Sequence, residues 1–175
     1  EIVVSDWSSD VCSSDLLKAY DRALAIDPAN AECWSNRGLA LRGLRRPDEA
    51  IASFRRAIAL VPAHVNALSN LAVVLKEQKQ LDEAVTTMAR AIELDPANVA
   101  VWVNFAAIHE ARGEYARMRE LAQRALDIDP NYPEAYNLLA NAEMEAGRYD
   151  EAAHAFDELT LVGPTLSTAW KGGWG

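Results

Sequence analysis

The sequence predicts an all-α solenoid of antiparallel helix pairs, and three observations carry that expectation. Pro28, Pro62, Pro96, Pro130 and Pro164 stand 34 residues apart at every step. The segments leading into them read alike: YDRALAIDP, FRRAIALVP, MARAIELDP, AQRALDIDP and, more weakly, FDELTLVGP. Between them, small and apolar residues recur three to four apart, the spacing of one helix face. A fixed interval of this length marks a repeat array whose units bury their cores against one another.

The elements follow in order. Counting back one period from the first complete unit predicts the second helix of a unit over about 14–27, with Leu17, Tyr20 and Ala23 in register. Its partner helix would end near residue 10, where the chain instead reads EIVVSDWSSDVCSSD and the register is absent. In the next unit Trp34, Gly38 and Leu41 mark one helix. A turn through Gly43–Pro47 follows, and Ala50, Phe54, Ala57 and Ile58 mark the second helix. Pro47 suits the first turn of a helix, where its missing N–H would have had no partner. The boundary prolines have the opposite role and stop the second helix of each unit.

The same frame places Leu68, Leu71, Ala72 and Leu75 before Ala84, Met88 and Ala91. It then places Trp102, Phe105 and Ala106 before Ala122 and Ala125, and Tyr136, Leu139 and Ala140 before Ala152 and Phe156. Gly113 and Gly147 mark the inner turns of the last two units. The array therefore spans 17–164, with a partial first unit and then 31–64, 65–98, 99–132 and 133–164. Residues 165–175 read as the truncated start of a further repeat or a tail. Trp170 takes the anchor position there, but the following glycines disfavour a helix. Trp170 and Trp174 are expected to be exposed or folded back on the last unit.

The pattern W-x2-L-G-x2-Y, then A-x3-F-x2-A, then Pro, carried here by Trp34, Gly38, Ala50, Phe54, Ala57 and Pro62, resembles the tetratricopeptide repeat family. The resemblance implies a right-handed superhelical solenoid and a protein-binding role. Three positions depart from it. Arg37 stands where Leu is usual, and His109 where Tyr or Leu is usual. Met118 stands where a small Ala packs between the helices, and is expected to push that helix pair apart or rotate one helix.

The opening segment 1–16 looks like the in-frame translation of a short-read library adapter, so it is read as non-native and the chain as a fragment. A phospho-acceptor tract or a reactive Cys12 are the competing readings. Cys12 has no nearby His and no second Cys, and a single thiol fixes no chemistry.

The formal net charge is −9, from 26 acidic and 17 basic residues. This argues against nucleic acid or an anionic membrane as the main partner. No apolar run approaches membrane-spanning length. Cys12 and Cys33 make no disulfide framework, and the compartment leans toward the cytoplasm. His64, His109 and His154 share no face, so neither a metal nor a cofactor is expected. No phosphate loop or nucleophile elbow is present, and no catalytic residue is assigned. Asp48-Glu49, Asp82-Glu83 and Asp150-Glu151 sit at helix starts, where they complement free N–H groups and the helix dipole.

Stacked helix pairs curve, and the first helix of each unit should line the inside. Positions 2, 5, 6, 9 and 12 of that helix are expected to face the groove. Asn36, Asn70 and Asn104 recur at position 6, and the fourth unit offers Asn137 and Asn141 beside Leu138. A carboxamide both donates and accepts, so a ladder of them can clasp an extended peptide backbone. The other reading has these residues bonding neighbouring helix carbonyls. Ser35, Ser69 and Val103 are also assigned to the groove, and Arg42 and Lys76 are the cations available to it.

The function expected is a non-catalytic scaffold that binds a protein or extended peptide. The alternative is the substrate-recruiting repeat arm of a larger enzyme, such as a glycosyltransferase or sulfotransferase. The Asn ladder is similar to that of the repeat arms of peptide O-glycosyltransferases. Self-association is expected only through uncapped ends.

Overall fold

A computed structural model describes the backbone of residues 7–162 and the side chains of 14–161. The expectations for Trp170, Trp174 and the tail lie outside the described residues. Among these there are only helices: α1 (Trp7–Ile26), α2 (Ala31–Gly43), α3 (Pro47–Leu60), α4 (Val65–Glu77), α5 (Leu81–Leu94), α6 (Val99–Ala111), α7 (Tyr115–Ile128), α8 (Pro133–Glu145) and α9 (Tyr149–Val162). Contacts divide the chain into two units, Glu1–Asp95 and Pro96–Gly175. In the first, α2 pairs with α3 and α4 with α5, while α1 packs on α2, α3 on α4, and α2 on α4. In the second, α6 pairs with α7 and α8 with α9, while α7 and α6 both pack on α8.

The first helix starts earlier than the periodicity implies, running without a break from Trp7 to Ile26. Extending a formed helix fixes one residue per hydrogen bond and needs no new nucleus, so a helix can outrun its sequence register.

Each inner turn closes in the same way. After α2, the Arg46 N–H donates to the Leu41 carbonyl and the Arg45 N–H to that of Arg42, the paired bonds of a left-handed helix cap. Lys79, Gly113 and Gly147 repeat it, and all four cap residues have positive φ, between 55° and 73°. Glycine takes this conformation freely; Arg45 and Lys79 take it at a steric cost.

The boundary carbonyls are also satisfied by recurring means. The Trp34 indole N–H donates to the Pro28 carbonyl at 3.0 Å and that of Trp102 to Pro96 at 2.9 Å. Leu68 cannot do so, and Arg90 donates to the Pro62 carbonyl instead, at 2.7 Å.

Small residues facing the second helix set how closely each pair packs. Gly38 lies against the Phe54 ring, where an added Cβ would be 2.6 Å from a ring carbon. Met118 is fully buried, yet α6 and α7 stay as closely paired as α4 and α5, so the expected separation does not occur. The reason lies one turn on. The other pairs run small then large (Ala50 and Phe54, Ala84 and Met88), whereas this one runs large then small, Met118 and Ala122. Both are fully buried, and the exchange conserves volume.

Arg37 replaces a leucine by bridging three helices. Its Nε donates to Asp21 Oδ1 on α1 at 2.7 Å, its Nη1 to Ser53 Oγ on α3 at 2.8 Å, and its guanidinium lies 5.7 Å from the Trp34 ring centroid. Ser53 is itself buried. The polar pair thus occupies space that two apolar residues would otherwise fill.

Candidate peptide-binding face

The first helices of the units, α2, α4, α6 and α8, present different residues to solvent from those expected. Position 5 is buried in three of them, at Ser35, Ser69 and Val103, so these residues belong to the packing between helices and not to an open face. Leu138, beside the asparagines of α8, is buried as well. The physical cause within each unit is that α2 packs on α4 and α6 on α8, so the helix stripe between the small positions is covered.

Position 6 is half-buried at Asn36, Asn70 and Asn104. Neither Asn36 nor Asn70 is hydrogen-bonded to a described side chain or helix carbonyl outside its own backbone ladder. Asn104 is already engaged within the structure. On α8, Asn137 is exposed and Asn141 half-buried.

The cations of this face are unequal. Arg42 is committed: its Nη2 and Nε both donate to the Glu77 carboxylate, the shortest contact being 2.5 Å, which ties α2 to the end of α4. A bidentate pair of this kind leaves little for a ligand carboxylate. Lys76 is half-buried and forms no ion pair with a described residue.

His64, His109 and Cys33 make contacts within the fold. His64 caps α4, its Nδ1 accepting from the Ala67 N–H at 3.3 Å while Nε2 lies 3.2 Å from Glu32. His109 Nδ1 lies 2.6 Å from Glu114, and its ring meets the edge of Phe105 with centroids 4.7 Å apart. Its Nε2 is sealed in with no hydrogen-bond partner, so no substrate reaches it. The Arg112 guanidinium, and then His109, hold the Glu114 carboxyl below its ordinary range. Burial pushes the Cys33 thiol up, and its Sγ lies 3.8 Å from the Tyr20 carbonyl, so it stays a protonated packing residue. Among the described residues no cluster of His, Cys, Asp or Glu could hold a metal.

One charged group went unnoticed in the sequence. Glu143, 3 % exposed, takes the place that Leu41 and Leu75 hold in the first unit. Burial pushes its carboxyl up, but Arg119 at 2.5 Å and Arg148 outweigh this and hold it below the usual carboxylate range. The signal was available: a Glu where the 34-residue frame requires an apolar residue.

Fold and face together define a helical-repeat protein whose described surface offers hydrogen-bonding groups and no catalytic constellation. Models of the tetratricopeptide repeat match residues 17–65, 35–99, 70–133 and 111–172, and the chain belongs to that family. No match was found among curated proteins. Several solved structures are similar in fold. MamA aligns with a TM-score of 0.75 at 23% identity, over 83% of this chain and 85% of that one. TTC0263, a thermophilic protein of Thermus thermophilus, gives 0.74 at 20% identity, over 87% and 84%. YrrB, a tetratricopeptide repeat protein with an unusual peptide-binding site, gives 0.70 at 20% identity, over 93% and 87%.

Proposed function

We propose that this chain is a non-catalytic protein-interaction scaffold that clasps the backbone of an extended peptide through Asn36 and Asn70, with Lys76 of the same unit offering a further polar contact. The observation that carries this reading is the free state of the Asn36 and Asn70 carboxamides: at equivalent positions on α2 and α4, neither is used up by a described neighbour. A carboxamide in this state can donate to a peptide carbonyl and accept from a peptide N–H at once, reading extension and not side chains. Peptide recognition by the similar protein YrrB supports the reading. Because Arg42 is held by Glu77, of these two cations Lys76 is the one left to meet a ligand carboxylate.

The test is selection of twelve-residue peptides from a random library, followed by fluorescence anisotropy with the best binder. Each lost hydrogen bond costs about 1 kcal/mol, so Asn36→Ala with Asn70→Ala should weaken binding roughly tenfold or more. Far-UV circular dichroism should not change. Unaltered affinity, or a fall in helix content, would defeat the proposal and return these residues to a packing role.

A further inference from the structure

A furrow between α7, α8 and α9 in the second unit has an internal counterpart, and the two differ in a telling way. Each residue lining it has an equivalent 68 positions earlier, in α3, α4, α5 or the turn between α3 and α4 of the first unit. There the furrow is crossed by two arginines. Arg55 Nη2 donates to Glu83 at 2.7 Å, tying α3 to α5. Arg90 Nη2 donates to the Pro62 carbonyl at 2.7 Å, tying α5 to the turn before α4.

In the second unit the acceptors remain and the donors are gone. Glu151 and Pro130 stand for Glu83 and Pro62, while Gln123 and Glu158 stand for Arg55 and Arg90. Gln123 turns back along its own helix, its Nε2 donating to Asp127 at 3.3 Å. Glu158 lies 4.0 Å from His154 on the same helix. No described residue donates to the Pro130 carbonyl. The result is an open depression of about 770 Å³. Its lining holds four carboxylates, Glu143, Asp150, Glu151 and Glu158, against one guanidinium, Arg119, which Glu143 already occupies.

We propose that this furrow binds an arginine side chain presented by a peptide segment of a partner protein, its guanidinium standing where the first unit places its own arginines, within reach of Glu151, Glu158 and the Pro130 carbonyl. Arginine fits better than lysine because its planar fork can serve a carboxylate and a carbonyl together. Its stem would lie along the half-buried Tyr136 and Leu139 on the furrow wall. The site uses different helices from Asn36 and Asn70 and does not depend on them.

The test measures binding of a fluorescein-labelled (Gly-Arg)4 peptide to the full chain by anisotropy. Gln123→Arg with Glu158→Arg rebuilds both crossings from within and should weaken binding at least tenfold. Gln78→Arg with Glu93→Arg adds the same charge on the first unit and should leave binding within about twofold. A (Gly-Lys)4 peptide should bind the native chain several-fold more weakly. No binding by the native chain, or equal losses in both variants, would overturn the proposal and leave only general attraction to an acidic protein. Concentration-dependent self-association abolished by the furrow variant would also overturn it, by putting a second copy of the chain there.

Discussion

The exchanged pair Met118 and Ala122 offers a quantitative test of how the second unit packs. Met118→Ala removes a fully buried side chain and should cost about 3 kcal/mol, the middle of the range for such truncations. Ala122→Met alone adds volume to a filled site and should cost about 2 kcal/mol. Made together, the two changes reproduce the order of Ala84 and Met88, which follow Ala72 in their repeat as this pair follows Ala106 in its own. A volume-conserving swap of this kind should cost less than about 1.5 kcal/mol, so the coupling is roughly 3.5–5 kcal/mol, above the top of the range for residues in contact. Repeat arrays can unfold in steps, so urea midpoints should be read alongside amide hydrogen exchange within α6 and α7. If the double variant is as unstable as the two single costs added together, Met118 does not fill the space vacated at 122 and the reasoning fails.

Other outcomes follow from the turns and the core. Arg45→Gly and Lys79→Gly relieve positive φ without removing a cap bond, and each should raise stability by about 0.5–1 kcal/mol in urea unfolding. Gly38→Ala brings a Cβ into the Phe54 ring and should cost about 1–3 kcal/mol, with Phe54→Met restoring most of it by copying Ala72 and Met88. Glu143 has a folded pKa below the roughly 4.3 of an unfolded glutamate, so its contribution is complete above that pH and fades as pH falls through the lower folded value. Glu143→Gln should therefore destabilise the second unit at pH 7 and flatten its loss of stability below about pH 4, as followed by circular dichroism.

Much of the fold was legible because it depends on residues that repeat. Among the described residues the pairs α2–α3, α4–α5, α6–α7 and α8–α9 follow the 34-residue proline interval, and Trp34, Gly38 and Phe54 lie on the packing stripe. What escaped were features that depend on pairs of positions. Met118 read alone implies overpacking; read with Ala122 it implies exchange. Arg37 read alone is a misfit, but Asp21 and Ser53, sixteen residues away on either side, make it a bridge. The solvent-facing side of the first helices was only partly readable. Position 5 looked open because a single helix wheel cannot show the neighbouring helix that covers Ser35, and Arg42 looked available because Glu77 lies 35 residues away, on the next repeat. The open furrow of the second unit emerges only when Gln123 and Glu158 are set beside Arg55 and Arg90.

The central claim is that the Asn36 and Asn70 carboxamides hold a peptide backbone. The most direct measurement is two-dimensional nitrogen-15 NMR of the side-chain NH2 groups, assigned through single Asn→Ala variants, during titration with a library-selected peptide. The Asn36 and Asn70 signals should shift and saturate together, with the same midpoint as the anisotropy curve. Saturable binding that leaves both signals in place would contradict it.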